Sequence, residues 1–476
     1  MKAKKTAGSR TKPQPSALFQ SARARRPTIA ERRAIGEKLR SRVRHAAHAE
    51  YIPPSRRDPI AIIEAQARTR LPQLVPIRHA RMLTSAFAFL RGSAAVMTAD
   101  IAAAPLTGLQ VQACGDMHVS NFGVFASAER NLVFAINDFD ETLPGPWEWD
   151  VKRLVASAAV CARYLGGDTT DCEAAARQAV KIYRKRMRGY AEMGYLELWY
   201  ARIDGRDVLD ALSPKARQVA ERIMAKARGR THLQVLEKMA DLIDDKHRIV
   251  EDRPLIVRET KTQKGRSMIQ AIDAFLHSYV ESLPFDRRHL FSRYQILDVA
   301  RKVVGVGSVG TRCWVSLLKG AHDDDPLFLQ IKEAQPSVMA PYARSRMPYA
   351  NEGRRVVVGQ RIIQGAPDIF LGWGEIGNFH FYVRQLRDMK GGAEFVPGKT
   401  KMSNFIEYCG LCGWALALAH AKSGDAAMIA GYCGNDDALD AAMAAFAHAY
   451  ADQTERDHAA MAEAAKGGRL SVARKF

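Results

Sequence analysis

A chain of 476 residues with 47% apolar side chains can bury a sizeable core and more than one lobe, which excludes a fibrous or wholly disordered polypeptide. The formal charge of +20 is uneven: residues 1–50 hold fourteen Lys and Arg against three Glu, so more than half of the excess belongs to one end. No clean apolar run reaches the roughly 18 residues of a bilayer span, and no apolar core of about 7 to 15 residues follows the basic start, so the chain reads as cytoplasmic, with neither a membrane span nor a secretory signal.

Residues 1–27 mix Lys, Arg, Ser and Pro with scattered apolar residues and cannot offset their ordering entropy by burial. They read as a disordered basic tail, suited at most to weak contact with nucleic acid or an acidic surface. From Thr28 to Ala104 the pattern predicts helices: "AERRAIGEKLRSRVRHA" is strongly basic, and "RMLTSAFAFLRGSAAVMTADIAAAP" keeps three-four apolar spacing until Pro105. Two short β-like runs follow, "LQVQAC" and "NLVFAIND", each leading straight into short polar side chains. "WEWDVKRLVASAAVCARYL" restarts a helix, and residues 170–300 read as mostly helical, with a charge-rich surface interval at "ETKTQKGRS".

Near residue 300 the composition becomes β-branched and aromatic. "RKVVGVGSVGTRCWVSLL" predicts a hairpin and "PLFLQIKEA" a third strand, with "KGAHDDD" as the turn between them. "NEGRRVVVGQRIIQ" predicts a helix, and "DIFLGWGEI" and "FHFYVRQL" two more strands; helices return from Lys401. The expected fold is α+β: a helical lobe over 28–297, a small β-rich lobe over 298–392, and C-terminal helices over 393–476 that complete the helical lobe. Seven scattered cysteines form no disulfide framework, and Cys409 and Cys412, on an apolar helical run, read as buried thiols.

Three stretches carry chemistry. Gly305, Gly307 and Gly310 form G-x-G-x-x-G, but a dinucleotide site needs a helix next, whereas "TRCWVSLL" alternates like a strand. Strand, glycine turn and strand together suit a flap over nucleotide phosphates, the alternative being a glycine hairpin with no ligand. Lys332, on the third strand, either snorkels to solvent or reaches those phosphates. In "CGDMHVSNFG", Asp116 and Asn121 have the five-residue spacing of a kinase catalytic loop, in which the Asp accepts a hydroxyl proton and the Asn binds magnesium. In "AINDFDE", Asp138 ends an apolar strand with Asp140 two residues on, and a carboxylate leaving a strand beside such a loop can hold a metal.

"GDMHVSNFG" and "NDFDETLPGPWEWDVKRL" resemble the H-G-D-x-H-x-x-N and I-D-[FWY]-x-D signatures of aminoglycoside and choline phosphotransferases, relatives of the protein kinases. From about Arg70 to Lys390 the chain more closely resembles an uncharacterised bacterial family, domain of unknown function 2252. That likeness runs through "RMLTSAFAFLRG", "GDMHVSNFG", "NDFDETLPGPWEWD", "VVGVGSVGTRCWV", "LQIKEA" and "YVRQLRDMKG", and brings no known reaction. The phosphotransferase resemblance implies a kinase-like two-lobe fold and ATP with Mg2+ as cofactors. The reaction it implies is transfer to an unknown hydroxyl acceptor. It also implies Asp116 as catalytic base, Asn121 and Asp138 as magnesium ligands with Asp140 next, and Lys332 with the three glycines around the phosphates.

Asp150 matches the structural Asp that holds the catalytic-loop backbone; otherwise it caps its helix. Cys114 stands where those families place a bracing His, which His118 could replace, and Lys332 has Glu352 and Glu333 as candidate partners. Because the catalytic loop precedes the glycine loop, the resemblance implies circularly permuted lobes, and "LCGWALALAHAKSGD" resembles the helix that leads into a phosphotransferase catalytic loop. A nucleotide-binding pseudokinase, a nucleotidyl transferase and a nucleic-acid or acidic-surface binder remain as other readings.

Overall fold

Helices start where short polar side chains take up the first free backbone N–H groups. In the computed structural model, Thr28 accepts from the Glu31 N–H at 3.1 Å and Glu31 accepts from the Thr28 N–H at 2.8 Å, a reciprocal cap on the helix Ile29–Leu39. The structure describes residues 25–474 except 231, 244–245, 260, 262–266, 344–348 and 387–388. Most of the basic tail and most of the "ETKTQKGRS" interval lie outside the described residues. Among the described residues, no helix is long and apolar enough to cross a membrane.

The helical pattern expected between Arg81 and Pro105 is realised after Met82 as two short helices, Ala86–Gly92 and Ala94–Ile101. Two serines divide the run: Ser85 caps the first by accepting from the Ala88 N–H at 3.0 Å, and the Ser93 hydroxyl donates back to Leu90 O at 3.2 Å. Further on, every residue of the helix Trp147–Tyr164 from Trp147 to Ala162 is buried. Around it lie Thr169–Ala191, Met402–Ser423 and Ala438–Lys466. Thr169–Ala191 and Met402–Ser423 meet at backbone contact, since a Cβ on Gly413 would fall 2.0 Å from Ala179 O.

Against this helical body lie two small antiparallel pairs. Strand β1 (Gln110–Ala113) pairs with β4 (Leu143–Pro146), and β2 (Phe122–Ala126) pairs with β3 (Leu132–Ile136). β1 and β3 are the runs expected from sequence. β4, with Pro144, Gly145 and Pro146, has the composition that weakens a strand signal.

β5 (Ala240–Ile243) and β6 (Lys246–Ile249) form a separate hairpin. The main sheet contains β7 (Ile256–Val257), β8 (Gln295–Lys302), β9 (Cys313–Lys319), β10 (Pro326–Ala334), β11 (Gly372–Ile376) and β12 (Phe379–Gln385). Its order is β11-β12-β10-β9-β8-β7, and every pairing is antiparallel. Residues 170–300 therefore hold three short strands and most of β8 that a helical reading omits, and the expected lobe boundary at 298 falls inside β8. Alternation along β10 sorts its two faces. Leu327, Leu329 and Ile331 pack with Phe275 and Tyr279 of the helix Met268–Ser282, while Phe328, Gln330 and Lys332 face the other way. The helix Glu352–Ile363 is capped by Asn351, which accepts from the Arg354 N–H at 3.0 Å. Its Val356 and Val357 join the core of the helical body.

Candidate functional site

β1 runs into Cys114 and Gly115, and the loop that follows is held from below by one carboxylate. Asp150, fully buried one turn into the helix Trp147–Tyr164, accepts the Cys114 N–H at 2.6 Å and the Gly115 N–H at 2.8 Å. It therefore anchors the loop and does not cap its own helix. His420, on the helix Met402–Ser423, lies with Nε2 at 3.2 Å from Asp150, and its Nδ1 lies 2.9 Å from the Tyr183 hydroxyl. The brace sought at Cys114 or His118 thus comes from a distant helix. Burial pushes the Cys114 thiol up, and the nearby Asp150 adds to it. Burial, then Arg91 and Arg153, push the His118 imidazole well down; its Nε2 is 3.8 Å from Asp116 Oδ2.

Three residues beyond Asp150, Arg153 donates to Asp116 Oδ1 from Nη2 at 2.6 Å and from Nε at 3.0 Å. Asp116 Oδ2 takes neither bond. Burial raises the pKa of Asp116 against the opposing pull of Arg153. The Asn121 amide closes the same loop by donating to Asp116 O at 2.6 Å, which leaves its carbonyl oxygen for another partner. The Asn137 N–H donates to Asn121 O at 2.8 Å, tying the exit of β3 to the loop.

Asp138 and Asp140 follow, and here the sheet meets the helical body. Asp140 accepts from Lys332 Nζ, from the Tyr382 hydroxyl at 2.7 Å and from the Ser308 hydroxyl at 3.2 Å. Lys332 Nζ is also 3.8 Å from Asp138 Oδ1. Burial works to raise the pKa of Asp140, but Lys332 and Tyr382 outweigh it and hold the group below the ordinary value. Asp138, with Lys332 at the longer distance and no hydrogen bond from it, is pushed up by burial and then by Asp140. Lys332 is 2% exposed and does not snorkel. Neither expected partner meets it: Glu352 binds Arg355, and Glu333 binds Arg312 at 3.1 Å. Arg355 instead donates to Thr142 O at 2.6 Å, Gln335 O at 2.7 Å and Asp140 O at 2.9 Å, fastening its helix to the acidic segment.

The glycine loop is fastened as well. Gly305 and Gly310 have φ of +64° and +93°, which a side chain rarely adopts, whereas Gly307 is not in that region. Val309 packs with Leu71, Leu74 and Ile77, the Leu71 N–H donates to Gly310 O at 2.8 Å, and Arg81 donates to Gly305 O at 2.5 Å. A cavity of about 110 Å3 results, with Asp116, Asn121, Asp138, Asp140, Gly305 and Gly307 in its wall. Lys332 reaches it through Asp140, and Gly310 lies farther back, against Arg70. A neighbouring cavity of about 360 Å3 shares Asn121 and Asp138 and is bounded by Arg230 and Arg384.

Among the described residues, no three His, Cys, Asp or Glu side chains form a metal cluster by themselves. A cation here would use Asp138, the Asn121 carbonyl oxygen and oxygens of a bound ligand. That donor set suits Mg2+, which is held by one or two carboxylates together with phosphate oxygens. Reading from sequence missed Arg153, Ser308, Tyr382, Arg355 and His420. Arg153 had a local signal, since it lies three residues from Asp150 on the same helix face. Ser308 lies inside the glycine pattern itself.

The family model described as an uncharacterised protein conserved in bacteria matches residues 70–464. The chain belongs to domain of unknown function 2252. No curated protein and no solved structure matches it. The domain of unknown function 2252 match starts at Arg70 and takes in every candidate residue named above, including the helix that carries His420.

Proposed function

We propose that this domain of unknown function 2252 protein is a kinase-like phosphotransferase that uses ATP and Mg2+ on a hydroxyl acceptor, within a circularly permuted two-lobe frame. The observation that carries the reading is the meeting at Asp140. Lys332 from the third strand and Ser308 from the glycine loop both reach a carboxylate that follows the Asp116–Asn121 loop, across 192 and 168 positions of chain. Glycine flap, strand lysine, Asp–Asn loop and metal-side carboxylate are the parts phosphoryl transfer needs in one cleft. Permutation is supported by Gly424, which follows the helix Met402–Ser423: a Cβ there would lie 2.9 Å from Gln110 O, at the start of β1. In space, that helix leads into the catalytic strand although the chain connects them the other way round.

In this reading Asp116 Oδ2 accepts the proton of the acceptor hydroxyl, and Arg153 fixes the orientation of the carboxylate. Asn121 and Asp138 hold the cation, which when bound neutralises charge on the phosphates. Lys332 and the N–H groups of the glycine loop take phosphate oxygens. Positioning and charge neutralisation supply most of the catalysis in this reaction class.

A second reading, a nucleotide-binding pseudokinase, draws support from the pairing of the site's charged groups: Asp116 is held by Arg153, and Lys332 is buried against Asp140. Thermal-shift titration with ATP and Mg2+ separates the readings. Wild type at one hundred times its dissociation constant is stabilised by about 2.7 kcal/mol, and Lys332→Ala and Asp138→Ala lose the shift. No shift at millimolar nucleotide overturns both readings; a shift without turnover over a panel of alcohols, sugars and peptides selects the pseudokinase.

A further inference from the structure

The cleft has a second wall that the proposed reaction does not use. It comes from the helices Val75–Met82 and Ala86–Gly92 and the link before them, and it carries Arg70, Arg78 and Arg91. Arg78 is 0% exposed and donates only to neutral groups, Gln66 Oε1 at 3.1 Å and Gly92 O at 2.7 Å, while its Nε and Nη1 have no partner. Arg70 gives Nη1 to Val309 O at 2.6 Å and keeps an unpartnered Nε. Arg91 also has a buried, unpartnered Nε, with its guanidinium 5.8 Å from the Phe87 ring.

Carboxylates across the cleft relieve this only in part: Glu141, Glu333 and Asp140 act on Arg70, and Asp116 acts on Arg91, against a larger burial effect, and none of them acts on Arg78. Asp116 is taken by Arg153, Asp140 by Lys332 and Glu333 by Arg312, and Glu141 accepts the Val338 N–H at 2.7 Å. Among the described residues, none of the three arginines forms an ion pair. Burial alone pushes the Arg78 guanidinium well below its ordinary pKa, and Arg70 adds to the effect. An uncompensated buried cation costs several kcal/mol, so this wall is arranged for a group the chain does not supply.

We propose that Arg70, Arg78 and Arg91 form a binding site for a phosphate-type dianion that opens into the Asp116 cleft. Forked guanidinium groups match the oxygens of such an anion, and the low local dielectric strengthens each charge-assisted bond. The anion site stands on the arginine geometry alone; its role as part of a substrate rests on the phosphotransfer reading. In that reading the dianion is either a phosphate carried by the acceptor or the terminal phosphate of the nucleotide.

Isothermal titration of the full chain with inorganic phosphate and with pyrophosphate tests the site, in wild type, Arg78→Met and Arg91→Gln. Wild type is expected to bind phosphate at millimolar concentration, and each substitution to weaken it by about tenfold or more. Repeating the phosphate titration on protein saturated with Mg2+ and ADP, and with Mg2+ and a non-hydrolysable ATP analogue, assigns the source. Binding to both complexes supports a phosphate on the acceptor; binding to the ADP complex alone supports the terminal phosphate. Phosphate binding through these arginines in a protein that takes no nucleotide keeps the anion site and sinks the phosphotransferase. Absence of phosphate binding in wild type, or affinity unchanged in both variants, overturns the proposal.

Discussion

The two walls of the cleft carry charge in opposite ways. On the wall formed by residues 114–153, Asp116 and Asp140 each have a cation drawn from another element, and Asp150 has two backbone N–H groups and a histidine. On the wall formed by residues 66–92, three guanidinium groups lie in the protein with neutral partners or none. The first wall is paired at these three carboxylates and holds its own loop in shape, although burial raises Asp138 and Glu141 beside them. Among the described residues, the second has no ion pair at its three arginines, which is the observation the proposed anion site rests on. Buried charge on its own therefore says little about role; the presence or absence of a partner decides it.

Breaking the paired wall has the largest expected effect. Arg153→Met leaves Asp116 buried without its cation, and denaturant unfolding at neutral pH is expected to show a loss of about 3–5 kcal/mol. Burial already holds the folded-state pKa of Asp116 above its unfolded value with Arg153 in place, and removing that cation raises it further. The loss is therefore full above the raised folded pKa and shrinks as the pH falls toward 4. An unchanged midpoint at pH 8 would mean the Arg153 pair adds nothing.

A pH series on Glu141 sharpens the contrast on the paired wall itself. Burial raises this carboxyl from 4.5 to about 7, so its ionised form costs stability that is fully felt above pH 7 and absent below 4.5. Glu141→Gln keeps an oxygen for the Val338 N–H, and it is expected to be more stable than wild type at pH 8 by up to about 3 kcal/mol, with the difference gone by pH 4.5. A difference that is flat across this range would remove Glu141 from the strained groups of the cleft.

The smallest effect is expected on the other wall. Arg78→Met deletes a fully buried cation that has no anionic partner; relief of its burial cost is set against the lost hydrogen bonds to Gln66 and Gly92, and unfolding stability is expected to rise by about 1 kcal/mol. A loss comparable to that of Arg153→Met would make Arg78 structural and would erase the distinction between the walls.

Much of the acidic wall was legible in the sequence because its geometry is local. Asn121 lies five positions after Asp116, and Asp138 follows β3, which pairs with β2 directly after that loop, so short chain connections bring these side chains together. Alternation in "LFLQIKEA" set Lys332 apart from the face that carries Leu329 and Ile331. Its partner was not legible. Glu333 and Glu352 are near in sequence, but Glu333 is held by Arg312 and Glu352 by Arg355, while Asp140 lies 192 positions away. The arginine wall was invisible for the same reason. "RMLTSAFAFLRG" reads as an amphipathic helical run, and nothing in it tells that Arg81 will grip the carbonyl of Gly305.

By itself the sequence determined the elements and the local reach of their side chains: where serine and glycine interrupt helices and strands, which residue faces which side of a strand, and which polar groups share one loop. Those properties depend on steric and hydrogen-bonding rules that act over a few residues. Only the tertiary structure decided that Lys332 meets Asp140, that His420 braces Asp150, and that Arg70, Arg91 and the fully buried Arg78 line the cleft without an ion pair among the described residues. Such pairings depend on where whole sheets and helices come to rest when they bury their apolar faces, and that placement is set by the packing of the entire core.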